Sequence, residues 1–79
     1  MKNPKEVKAF GVHVRQLRES ANLSQQKLAD IADVAKITIQ RIENGKTCAK
    51  IDVLISIAPA LKISLVELVN FKLPKEKRK

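Results

Sequence analysis

The stretch Leu23–Lys46, LSQQKLADIADVAKITIQRIENGK, decides the fold, because two short helical patterns lie in it on either side of a tight Asp33-Val34 connection. Ser24 is placed to cap the first pattern, whose Leu28 and Ala32 fall four apart on one face, while Ile39 and Ile42 fall three apart on the inner face of the second. Asn44-Gly45 closes the second pattern, since glycine accepts the left-handed backbone that ends a helix. Its opposite side gathers Lys36, Ile37, Gln40 and Arg41, long donors around one apolar side chain with no acid among them. Such a surface suits phosphates and base edges.

Two helices joined in this way predict a helix-turn-helix, which lays its second helix in the major groove of duplex DNA. Three further helical patterns surround the pair. From Glu6 to Ala21, Val7, Phe10, Val14, Leu17 and Ala21 recur at three and four, which predicts an amphipathic helix with a core-facing stripe. After a loop over 46–50, Ile51, Leu54, Ile55, Ala58 and Leu61 share a fourth helical face, and Pro59 predicts a kink or a helix end near Ala58. Ser64 and Glu67 form a capping-box pair ahead of Leu65, Leu68 and Val69, which starts a short fifth helix. The expected class is all-α, a compact five-helix domain over 1–71 followed by a basic, disordered tail over 72–79.

Seventy-nine residues with only two glycines and no tryptophan make one small domain built on local helix packing, with no room for a large catalytic cleft. Sixteen basic residues against eight acidic ones give a formal charge of +8, which favours a polyanionic partner. Half of that excess lies in the tail, where Lys72, Lys75, Lys77, Arg78 and Lys79 face only Glu76. The single cysteine, Cys48, excludes an intramolecular disulfide and a cysteine-rich zinc site and fits a reducing compartment. Only Lys46 and Lys50 nearby favour a thiolate, so Cys48 reads as an ordinary thiol. The amino terminus is charged where a signal peptide is apolar, and no run is long enough to span a bilayer; the expectation is a soluble, cytoplasmic protein.

The chain resembles the helix-turn-helix domains of phage repressor and Cro type, also called the xenobiotic response element family. The likeness runs from about Val12 to Val69 and rests on LSQQKLAD, TIQRIENGK and ISIAPALKISLVEL in the right order and spacing. It implies a lambda-repressor-like fold in which Gln25 touches the DNA backbone and Lys36, Ile37, Gln40 and Arg41 face the major groove. Thr38, Lys46 and Lys50 complete the expected DNA-binding set, with Lys36 open between a phosphate and a base edge. The resemblance also implies a largely buried pair between Arg18 and Glu43. Some positions depart from the family pattern. Asp33 replaces the turn glycine, and Ala35 replaces the Ser or Thr cap of the second helix, a loss of about 1 kcal/mol unless Asp33 caps one position early. Ile37 suits a thymine methyl, whereas Ile31 has no reading. Val66 stands where the family usually has a polar residue, so Leu65, Val66, Val69 and Phe71 are expected to form a homodimer interface on an inverted-repeat operator.

Other classes fare worse. Gly45-Lys46-Thr47 ends like a phosphate-binding loop, but Gln40 stands where the earlier glycine belongs and a helix precedes it in place of a strand. No nucleophile, base and acid assemble into a triad, and His13, expected at the surface, has no second ligand for a metal. No cofactor, metal, membrane or small-molecule ligand is expected. RNA recognition stacks bases on exposed aromatics, of which Phe10 and Phe71 are the only two. The expectation is a small transcriptional regulator, a repressor or autoregulator similar to restriction-modification controllers. An antitoxin and a protein-interaction module without DNA binding are the alternatives.

Overall fold

Ser24 and Ser64 set where two of the helices begin. Each accepts a hydrogen bond from the backbone three residues on, Ser24 from Lys27 and Ser64 from Glu67, and Glu67 returns the favour by accepting from the Ser64 N–H at 3.2 Å. The computed structural model describes residues 4–71, which form α1 (Pro4–Ser20), α2 (Gln25–Ala32), α3 (Lys36–Glu43), α4 (Ile51–Ala60) and α5 (Leu65–Val69), with no strand among them. The class is all-α. The tail over 72–79 lies outside the described residues.

Four of the helices close in the same manner. Asn22, Asp33, Gly45 and Lys62 follow α1 to α4 with φ of 60°, 60°, 69° and 61°. The next N–H in each case reaches back five residues, from Leu23 to Arg18, Val34 to Ala29, Lys46 to Arg41 and Ile63 to Ala58, at 2.8–3.1 Å. A left-handed residue followed by this bond satisfies the carbonyls that a helix end leaves open. Asp33 therefore works as the C-cap of α2. It does not cap α3: Ala35 holds that N-cap and makes no side-chain hydrogen bond.

Every helix sends a fully buried side chain into one core: Val14 from α1, Leu28 from α2, Ile39 and Ile42 from α3, Ile57 from α4 and Leu68 from α5. Phe10, Leu17, Leu23, Val34 and Leu54 pack around them half-buried. Three expectations need correction. Ala21 lies in the turn after α1 and is exposed, so the stripe of that helix stops at Leu17 and Arg18. On α4, Ile51 and Ile55 are exposed, and the buried face is centred on Ile57 and Ala58. Pro59 sits inside the last turn of α4, which runs on to Ala60; the carbonyl that it cannot bond belongs to exposed Ile55.

Candidate nucleic-acid interface

The inner face of α3 carries Ile39, Ile42 and Glu43, all buried. Its outer face then falls to the remaining positions, ordered round the helix as Lys36, Gln40, Ile37, Arg41 and Thr38 at 3.6 residues per turn. Lys36, Ile37 and Arg41 are exposed, and Gln40 and Thr38 are half-buried. Glu43 is the sole acid of the helix and is turned inward, so the outer stripe carries two cations and no anion. Lys36 occupies the first turn, where the positive end of the helix dipole disfavours a cation by a few tenths to about 1 kcal/mol.

What turns Glu43 inward is Arg18. The guanidinium donates from Nε to Glu43 Oε2 at 2.7 Å and from Nη2 to Oε1 at 3.1 Å, and its Nη1 donates to the Leu23 carbonyl at 2.7 Å. Gln25 adds a fourth bond, from Nε2 to Glu43 Oε1 at 3.0 Å. The Glu43 carboxylate thus ties α1 and the start of α2 to α3, and Arg18 extends the network to the α1–α2 turn. Arg18 and Glu43 are only 8% and 5% exposed, and no buried side-chain polar atom among the described residues lacks a partner. The hydrogen bonds that Arg18 donates to Glu43 raise the Arg18 pKa above its ordinary value, against desolvation.

The flanks of α3 differ. On one side Gln25, half-buried, and Lys36 border a polar concavity with Arg15, Ser24, Gln26 and Asn44. On the other, Thr38, Arg41, Lys46 and Lys50 border a second with Thr47 and Asp52, and both lysines are exposed on the loop to α4. The geometry thus gathers the expected DNA-binding residues on α3 and its two flanks, with the Gln25 amide nitrogen engaged by Glu43. Arg15 and Gln26 also border the first concavity, and their basic or amide character, common on any surface, does not mark them in the sequence.

Away from α3 in the chain, α5 exposes Leu65 (36%), Val66 (71%) and Val69 (44%). Phe71 is half-buried instead, its ring 5.4 Å from Phe10 and 5.8 Å from His13. His13 is accordingly not a plain surface histidine: it is half-buried, with Nε2 3.1 Å from the Glu67 carbonyl. Cys48 is exposed. Among the described residues no group of His, Cys, Asp and Glu has the makings of a metal site, and no helix is long and apolar enough to cross a membrane.

A family model described as helix-turn-helix matches residues 14–68, and the chain belongs to that family, in its phage repressor and Cro type. Its class is that of DNA-binding transcriptional regulators. Among solved structures it is similar to the restriction-modification controller protein C.AhdI from Aeromonas hydrophila, with 29% identity and a TM-score of 0.76 over 78% of this chain and 94% of that one. It is also similar to ComR from Streptococcus suis, with 34% identity and a TM-score of 0.74, over 80% of this chain and 21% of that one. A transcriptional regulator from Vibrio cholerae shares 26% identity and a TM-score of 0.77, over 82% of this chain and 36% of that one. No curated protein matches the chain.

Proposed function

We propose that this protein reads a specific duplex DNA sequence with the outer stripe of α3 and acts in the cytoplasm as a repressor or autoregulator. The observation that carries the reading is the stripe itself: Lys36, Ile37, Gln40 and Arg41 face outward with no acid among the outer positions of α3, on a helix fixed from behind by the Arg18–Glu43–Gln25 bonds. Arg41 is suited to a bidentate guanine contact, Ile37 to a thymine methyl and Gln40 to an adenine edge. Gln25, Lys36, Thr38, Lys46 and Lys50 hold the backbone on the two flanks. Gln25 keeps one amide hydrogen for a phosphate while the other serves Glu43. The chain spans nearly the whole of the controller protein C.AhdI, which supports the controller-type role over the antitoxin and interaction-module alternatives.

The reading extends to a two-fold dimer through α5. Val66 is the most exposed of the large apolar side chains among the described residues, and Leu65 and Val69 join it on a helix of five residues. Two recognition helices about 34 Å apart meet successive major grooves, so the operator is an inverted repeat with half-site centres about ten base pairs apart or a multiple of that. Gel shifts against duplex and single-stranded pools test the assignment: retention of duplex with enrichment of a motif supports it. Equal retention of all duplexes, or preference for single strands, contradicts it.

A further inference from the structure

Gly11 lies in the middle of α1 and is buried, and the sequence pattern gives it no role. A β-carbon there would run into the Ile42 carbonyl oxygen and come within 2.8 Å of the Glu43 carbonyl oxygen and 3.0 Å of its carbon. These are the last carbonyls of the recognition helix. Arg18 is seven residues further on, two turns along the same face of α1, and it grips the carboxylate of the same Glu43. The end of α3 is therefore held by α1 at two points, its backbone against Gly11 and its side chain by Arg18.

We propose that Gly11 is a positioning residue for base reading: together with Arg18 it fixes the height and rotation of the α3 stripe, so that sequence discrimination depends on it. This inference rests on the DNA-reading role of that stripe. The argument is one of tolerance. A bidentate contact from Arg41 to a base edge requires its helix to be placed within about 0.5 Å, whereas long lysines follow a phosphate through larger shifts. A methyl group at position 11 meets backbone carbonyls, which cannot swing aside as a flexible side chain would, so α1 and α3 must shift relative to each other. The resulting defect falls on specificity first and on general affinity for DNA hardly at all. Local preference runs the other way, since alanine is a better residue than glycine inside a helix. A Gly11→Ala effect cannot then be put down to weakened helix formation in α1.

The test compares parent and Gly11→Ala, both at a temperature where circular dichroism shows each fully folded, on the selected operator and on a scrambled duplex of equal length. The expected result is a loss of at least tenfold in operator affinity, with affinity for the scrambled duplex and its salt slope within twofold of the parent. A variant that keeps the parent's ratio of the two affinities overturns the proposal, as does one that loses both equally. Should Gly11→Ala not fold, Arg18→Lys loosens the same hold without adding bulk. It must lower the ratio in the same way, and a parent-like ratio there assigns Gly11 to folding alone. A parent that itself shows no preference between the two duplexes contradicts the DNA-reading assignment instead, so the two failures are distinct.

Discussion

At the scale of single residues, Glu43 does most to join fold and function. It receives two bonds from Arg18 and one from Gln25 in a site nearly closed to water. Removing it leaves a buried guanidinium with its one remaining bond to Leu23, so Glu43→Ala should destabilise the domain by about 3–5 kcal/mol. A thermal melt within a degree or so of the parent contradicts this. Because the Arg18 pKa is raised in the fold, its contribution is complete below the unfolded guanidinium value and fades only as pH climbs through the raised one. Arg18 thus gives the stability no pH dependence near neutrality. Arg41 belongs to the other side of the helix: Arg41→Ala should lose about 1–3 kcal/mol on the preferred site and relax specificity at one base pair. Equal losses on preferred and scrambled DNA, measured by titration, would remove Arg41 from base reading. The sequence makes the outer stripe legible because period and charge coincide there. It hides Gly11, whose glycine signals a close approach without saying to what, and His13, whose partner is a backbone carbonyl 54 residues away.

At the scale of elements, the helix starts and stops read well because they rest on local chemistry. Ser24, Ser64 with Glu67, and Gly45 each act within three residues or so of their own position, and each caps or closes the helix it adjoins. The phase of α4 reads poorly for the opposite reason. In IDVLISIAPA nearly every residue is apolar, so several helical faces qualify and only packing against α2 and α5 selects the one through Ile57 and Ala58. The start of α3 is left open, like that of α4, because Ala35 leaves the first N–H groups without a side-chain cap. Ala35→Ser should add about 1 kcal/mol of stability. In a domain of this size that raises the Tm by roughly 4–8 °C. Ala35 shares the extended backbone of the capping residues Ser24 and Ser64, so an unchanged or lowered Tm would contradict this.

At the scale of the whole molecule, the stripe proposed to read DNA and the surface proposed for the dimer sit on different helices joined through α1, which meets α3 at Gly11 and Arg18 and α5 at His13. Val66→Glu should therefore abolish the dimer while leaving the monomer folded, since Val66 is 71% exposed and takes no part in the core. Sedimentation decides it: a parent that is monomeric at tens of micromolar, or a variant that dimerises unchanged, rules out this interface. The basic tail is outside the described residues, and its charge alone suggests its effect. Deleting residues 74–79 should weaken binding to all duplexes alike and flatten the salt dependence, because lysines on phosphates contribute by counterion release. The central claim, that the α3 stripe reads sequence, is tested most directly by selecting bound duplexes from a random library with the parent protein. The account predicts enrichment of an inverted repeat with half-site centres about ten base pairs apart or a multiple of that. A pool that stays random after repeated rounds, with binding governed by salt alone, would contradict it.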